Sequence, residues 1–323
     1  MVSIINKLKN LQQLGLMVVI IAMCIIASLL SPVFLTTQNL LNILTQATMS
    51  GLAALGVCMI LLVGEIDLSI GSMMAACGIA AITVGNATGS VVLAVIAGIV
   101  MGIIITTLNA TIVLKLGVIP FITTLGMMQI ARGAVMVFTN AASVQVNMEG
   151  FDFIGLGYIW EIPFPIIILV VLAFFVYFII VRTPLGRQIY AVGSNRDAAR
   201  LSGINVTKIK YIVYIFEGAF VSIAALVMAS RLNTGQPLAG TGFELQVISA
   251  VILGGVSMSG GRGKLSGALL GVLILTILNN ALVLLNVSSF YQQIARGIVL
   301  IVAVFFDERR RISINRTLLK DMS

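Results

Sequence analysis

Charged side chains are scarce in this chain, and three of them sit deep inside apolar runs: Arg132, Glu217 and Arg296. An ionisable group in a hydrocarbon setting is costly, and by default it faces a partner, a cavity or a neighbouring helix. Uncharged polar groups share those runs, namely Gln46, Asn109, Gln129, Asn279, Asn280, Gln292 and Gln293. Neutral donors and acceptors in number, with few charges, suit a hydroxyl-rich neutral solute better than an ion. The plainer reading is that they bond helix to helix and hold a bundle together. Candidates for lining a solute path are Gln46, Asn109, Gln129, Arg132, Phe243, Asn279, Asn280, Gln292 and Arg296. A proton relay needs acids placed along a path, whereas only Glu217 lies well inside a run, with Glu65 and Asp67 near a boundary.

Other chemistries are tested and fall away. The glycine-rich stretch from Gly254 to Gly271 invites a nucleotide-binding reading, but G-x-x-x-x-G-K-[ST] fails there. Its first glycine falls on Met258 and its hydroxyl on Leu265, and the dinucleotide pattern counted from Gly261 puts Ser266 at its third glycine. The stretch reads as a tight turn between two spans, anchored by Arg262 and Lys264. The chain has no histidine, which removes the usual general base and the commonest metal ligand. Cys24, Cys58 and Cys77 all lie in apolar stretches and read as small packing residues. No catalytic residue, metal site or cofactor is expected. Gly98-x-x-x-Gly102 and Gly267-x-x-x-Gly271 read as close-packing helix faces.

One polar island stands apart, Arg182 to Lys210, which holds six of the nineteen positive charges. Ser194 or Asn195 suits an N-cap, Asp197 the helix N-terminus and Arg200 the other end. Gly203 is placed to end the helix in a left-handed turn, and Ala198, Ala199 and Leu201 give it a small apolar side. The spacing predicts a self-capped helix of about two turns, Asn195, Arg196, Asp197, Ala198, Ala199, Arg200, Leu201 to Gly203. Such a helix is either an ordinary interfacial loop or a peg for a soluble partner.

The elements that must position these residues follow from composition. Hydrophobic residues make up 59% of the 323 and charged ones 9%. No soluble fold hides that much apolar surface, so the solvent for most of the chain is lipid. A spanning helix needs about 20 apolar residues. Candidate spans are Leu14–Ser31, Leu40–Val63, Leu68–Gly85, Val91–Lys115, Ile119–Thr139, Pro163–Arg182, Tyr211–Ser230, Glu244–Met258, Leu265–Leu285 and Ser289–Phe306. With the N-terminus inside and ten spans, sixteen of the nineteen Lys and Arg fall on the cytoplasmic side, including Arg309, Arg310, Arg311, Arg316 and Lys320. Only Arg231 falls outside, and the outer loop Asn140–Ile162 carries three acids and no cation. Both termini are thus expected in the cytoplasm. The net charge of +8 is dispersed among loops, which follows from topology and does not point to nucleic acid. The first run is too long for a signal-peptide core and lacks a small-residue cleavage site, so it reads as an uncleaved span.

An internal echo suggests duplication. Gln129-Ile130-Ala131-Arg132-Gly133 recurs as Gln293-Ile294-Ala295-Arg296-Gly297, and Thr106-Thr107-Leu108-Asn109 as Thr276-Ile277-Leu278-Asn279. Five spans separate the copies, and an odd number reverses the direction of crossing, giving inverted repeats over 14–139 and 163–306. Arg132 and Arg296 are then expected in equivalent places across an in-plane axis. The fold class expected is an all-α polytopic membrane protein of about ten transmembrane helices with an inverted 5+5 repeat. It forms one transmembrane domain, 1–323, with a cytoplasmic loop at 183–210.

Long segments resemble one family. GRQIYAVGSNRDAARLSGINVTKIK (186–210) is similar to the cytoplasmic loop of the ribose-type sugar permeases of bacterial ABC importers. GEIDLSIGS (64–72), PFITTLGMMQIARG (120–133), GTGFELQVISAVILGG (240–255), SMSGGRGKLSGALLG (257–271) and 291–307 continue the resemblance in order. Glu65 departs from the small or neutral residue of many members. The resemblance implies a permease subunit of the bacterial inner membrane that pairs with a second permease subunit, as a homodimer or with a sister permease. It further implies a cytoplasmic ATP-binding subunit with two nucleotide-binding domains docked on 195–203, and a periplasmic or lipoprotein sugar-binding protein that delivers a monosaccharide. Ribose, allose, galactose and autoinducer-2 permeases share the pattern. The rival is a secondary transporter coupled to an ion through Glu65, Asp67 or Glu217. An adjacent ATPase gene separates the two.

Overall fold

The computed structural model describes residues 2–299, 301, 302, 304 and 305, with side chains described from residue 13 onward. The basic C-terminal residues Arg309, Arg310, Arg311, Arg316 and Lys320 lie outside the described residues. The chain runs α1 (Val2–Leu30), α2 (Thr37–Leu62), α3 (Ile70–Thr88), α4 (Val91–Lys115), α5 (Pro120–Thr139), α6 (Phe153–Leu156), α7 (Phe164–Arg182), α8 (Pro184–Ser194), α9 (Arg196–Leu201), α10 (Val206–Leu232), α11 (Phe243–Leu253) and α12 (Leu265–Leu284). Four two-residue strands, β1 (Val144–Gln145), β2 (Tyr158–Ile159), β3 (Ile162–Pro163) and β4 (Thr234–Gly235), form two antiparallel pairs, β1–β4 and β2–β3.

Among the described residues, eight helices are long and apolar enough to cross a membrane: α1, α2, α3, α4, α5, α7, α10 and α12. The expected eighth span is shorter than the sequence reading, since α11 has 11 residues and stops at Gly254. The expected tenth span is helical over 289–299 and then runs into residues outside the description. These helices divide into an inner and an outer set. The spanning windows of α2, α3 and α10 are 78%, 72% and 67% buried, those of α1 and α7 only 11% and 22%. Leu29, Val137, Phe174 and similar side chains therefore stand largely exposed on the outer helices. Lipid is the medium that accepts such surface, because every backbone group in a helix is already satisfied internally.

Helix contacts repeat in the two halves. The central helices α2 and α10 touch each other; α10 packs on α3 and α4, and α2 packs on α11 and α12. Likewise α3 packs on α4, and α11 on α12. Glycines set these close crossings. A side chain at Gly102 would overlap Ser222 Oγ and come within 2.6 Å of Gly218 O on α10, and one at Gly271 would overlap the Ala250 carbonyl of α11. Both glycine pairs singled out in the sequence thus fall at helix crossings.

Two non-helical links enter the bundle from opposite ends. Residues 64–69 lead from α2 into α3, and 236–242 lead from β4 into α11. Gly235 lies against Ile79 and Ile82, while Gly240 reaches Gly71 and Met74, so the second link descends along α3 towards its first turn. There a Cβ on either Gly71 or Gly240 would overlap the other's carbonyl oxygen, and Gly240 has φ +72°. Only glycine satisfies both demands at this junction.

At the end of the bundle that carries most Lys and Arg, three segments interlock. Gly261 N–H donates to Leu62 O at 2.9 Å, and a Cβ on Gly193 of α8 would come within 2.6 Å of Gly261 N. Tyr190 Oη donates to Gly263 O at 2.8 Å, and burial pushes this phenol above its ordinary range, so it stays a neutral donor. The stretch after Gly254 is a turn closed by Ser257 N–H to Arg262 O at 2.9 Å.

Candidate functional site

The polar island folds as two short helices, α8 and α9, and the first turn of α10. The sequence reading anticipated the second but not the first, which is capped by Thr183 and started by Pro184 at its first position. For α9, Asn195 takes the N-cap role: its side chain accepts from the N–H groups of Asp197 and Ala198, both at 3.0 Å. Gly203 has φ +81°, the left-handed end that its position required. Ala199 is buried, whereas Asp197, Ala198, Arg200 and Leu201 are exposed, Leu201 with 89% of its surface free. The result is a short helix anchored on one alanine, with a mixed charged and apolar outer face.

Arg196 reaches inward from this helix. Its Nη2 donates to Glu65 Oε1 at 2.9 Å, and Lys210 Nζ from α10 donates to the same oxygen. Glu65 and Lys210 are buried, while the Arg196 side chain is about half exposed (53%). Two residues further along, Asp67 Oδ1 accepts from both the N–H and the hydroxyl of Ser69 at 2.6 Å. Its Oδ2 accepts from Asn109 Nδ2 at 3.0 Å. The link from α2 to α3 is thus held by charge on one side and by α4 on the other.

A cavity of about 320 Å³ opens towards the opposite end, between α2, α11, α12 and the helical run 289–299. Its size lies in the usual range for ligand pockets, about 300–1,000 Å³. Five of the nine path candidates line it: Gln46, Phe243, Asn279, Gln292 and Arg296. Ser50, Gln246, Thr276 and the methionines 49, 74 and 228 complete most of the wall. Serine and methionine carry no signal in an apolar sequence, but Gln246, a carboxamide inside α11, had the same signature as Gln46. Asn279 Oδ1 and Arg296 Nε are buried without a hydrogen-bond partner among the described residues. Carboxamides, one guanidinium, two hydroxyls and an aromatic ring offer a solute many hydrogen bonds and one apolar face.

The other four candidates lie elsewhere. Asn109 is spent on Asp67 and Ser69. Asn280 forms a reciprocal amide pair with Asn39, at 3.1 and 2.8 Å, because its neighbour Asn279 takes the cavity side of the helix. Gln129 is exposed on the outside of α5. Arg132 donates to the carbonyls of Pro237 (2.5 Å) and Ala239 (2.9 Å), clamping the link into α11, with the Glu244 carboxylate in electrostatic reach. Arg132 and Arg296 therefore have different surroundings: one braces backbone, the other faces the cavity. The equivalence expected from the sequence echo does not extend to their side-chain partners.

Residues 39–304 match the family described as branched-chain amino acid transport system / permease component, most of the chain's length. The chain belongs to that permease family. Among relatives, this permease is 41% identical over 299 residues to the ribose import permease protein RbsC of Escherichia coli K12, covering 91% of this chain and 93% of the relative. RbsC of Bacillus subtilis is 40% identical over 304 residues, 93% and 94% of the two chains. The L-arabinose ABC transporter permease protein AraH of Azospirillum brasilense is 38% identical over 298 residues, 92% and 88%. No solved structure matches the permease significantly. In this setting the cavity is the candidate solute site and α9 the candidate docking element.

Proposed function

We propose that this permease is the membrane subunit of an ATP-driven monosaccharide importer, carrying a pentose or hexose through the cavity between α2, α11 and α12. The observation that carries this reading is the cavity wall: Gln46, Gln246, Asn279, Gln292 and Arg296 around Phe243, in a chain about 40% identical to ribose import permeases. Polyol hydroxyls pair well with carboxamides and guanidinium, and a sugar ring face stacks on an aromatic side chain.

Energy enters at α9. Its capped, outward-facing surface supports the role of a peg for a cytoplasmic ATPase with two nucleotide-binding domains. ATP hydrolysis belongs to that partner on this reading, since the relatives of this chain are permease components. A second permease subunit as a homodimer partner and a sugar-binding protein on the far side complete the complex. The segregation of Lys and Arg to the α8–α9 end supports placing that end, with both termini, in the cytoplasm. The mirrored helix contacts and the Gly71–Gly240 junction support inverted repeats within 14–139 and 163–306, at the level of helices rather than of the two arginines. The interlock of Leu62, Gly193 and Gly261 would then close the cytoplasmic side while the cavity faces outward.

The test is reconstitution. Proteoliposomes holding the permease, its ATPase and its binding protein are expected to accumulate labelled ribose or arabinose only with ATP on the cytoplasmic face. Uptake by the permease alone, driven by a proton or sodium gradient, is the result that would replace this reading with an ion-coupled carrier.

A further inference from the structure

We infer that Glu65 is a positioning residue for transport, joining the docking helix α9 to the floor of the cavity through one shared carboxylate oxygen. The inference rests on the proposal that α9 receives an ATPase. The connection itself is read from geometry. Three segments far apart in sequence converge on Glu65 Oε1: the α2–α3 link that carries it, α9 through Arg196, and α10 through Lys210. One end of this junction is solvent-facing, since Arg196 is about half exposed, and the other is interior, since Glu65 and Lys210 are buried.

From Glu65 the path to the cavity is short and stiff. The Glu65 N–H donates to Ile60 O at 3.1 Å, which fixes the residue to the end of α2. Asp67 holds Ser69 through two bonds and is itself held by Asn109 of α4. Ser69 is the N-cap residue of α3, Gly71 packs on Gly240 and Glu244, and Met74 lines the cavity. Fewer than ten residues thus separate the shared oxygen from the cavity wall; Asp67 and Ser69 are bonded to Asn109, and the first turn of α3 packs closely on Gly240. A displacement of α9 either drags the link and the start of α3 with it or strips Arg196 from a buried carboxylate. The second outcome is disfavoured because a buried charge that loses a partner is costly.

A bond that only stabilises the fold would not link hydrolysis to transport, and this separates the two roles. The experiment uses the full complex of permease, ATPase and binding protein in proteoliposomes, with labelled ribose as probe and arabinose as a second. It reads solute moved per ATP hydrolysed for Glu65→Gln, Arg196→Gln, the double variant and Arg196→Lys, with co-purification of the ATPase as the assembly control. Each single Gln variant is expected to lower the ratio about tenfold while the ATPase still co-purifies. The double variant is expected to be no worse than the poorer single, and Arg196→Lys to keep a large part of the ratio. If Glu65→Gln does not assemble, Arg196→Gln, altered at a half-exposed side chain, carries the test. A wild-type ratio in either single variant overturns the inference, as does a double loss near a hundredfold, which would mean independent roles. Loss of the ATPase from Arg196→Gln complexes also overturns it, by assigning that side chain to docking alone. Uptake by the wild-type complex that ignores ATP overturns the proposed function and this inference together, whereas ATP-driven uptake with normally coupled variants overturns this inference only.

Discussion

At the scale of single residues, the polar groups in the apolar runs sort by what they touch. Arg296 lines the cavity with its guanidinium, so a solute oxygen gains a charge-assisted bond there. Such a bond contributes about 1.5–3 kcal/mol, and Arg296→Gln is expected to slow ribose uptake by roughly tenfold or more, read as initial rate in proteoliposomes. Gln129→Ala, at an exposed position on α5, is expected to leave the rate within about twofold. Glu217 is the residue an ion-coupled mechanism would need, since it is fully buried and neither carboxyl oxygen has a partner among the described residues. Gly56 leaves room only for its stem, because a Cβ there would come within 2.7 Å of Glu217 Cα. The isosteric Glu217→Gln is therefore expected to keep transport within about twofold; its abolition, measured by the same uptake assay, would favour the ion-coupled rival.

At the scale of elements, the glycine crossings and the capped helix make separate demands. Gly102 sits against Gly218 and Ser222, so Gly102→Ala overpacks the α4–α10 crossing and is expected to cost about 1–3 kcal/mol. Gly126 has nothing within 4 Å, so Gly126→Ala is expected to be neutral or slightly stabilising in the same thermal unfolding assay in detergent. Gly203 at φ +81° ends α9, and proline cannot adopt that angle. Gly203→Pro is expected to leave membrane insertion intact while uncoupling ATP hydrolysis from uptake, and unchanged coupling in that variant would remove α9 from the energy path. The cap residue, the left-handed glycine and the long spans were legible in sequence because each rests on local chemistry. α8 was not anticipated: glycines at 186 and 193 are weak helix formers, and Gly193 serves a close approach to Leu62 and Gly261 that only the fold reveals. Nor was the partner set of Glu65, since Arg196 and Lys210 lie 131 and 145 residues away and only tertiary folding brings them together. The candidate site was half visible for a similar reason. Asn279 and Asn280 look alike in sequence, and only helical phase sends one to the cavity and the other to Asn39.

At the scale of the whole molecule, two central helices each carry their own pair of neighbours, and the 236–242 link meets the first turn of α3 at Gly71 and Gly240. This arrangement places a polar cavity beside the junction and an interlocked, basic end beneath it, with α9 at its surface. On the proposed coupling, a transport cycle would open the interlock when α9 is moved and turn the cavity to the other side. The account's central claim is that ATP hydrolysis by a docked partner, and not an ion gradient, drives a monosaccharide through this cavity. Labelled ribose uptake into proteoliposomes bearing the complete complex tests it most directly. The account predicts uptake that requires ATP on the α9 side, persists when ionophores collapse the proton and sodium gradients, and vanishes when the ATPase is omitted. Uptake that survives without the ATPase and disappears with the ionophores would contradict it.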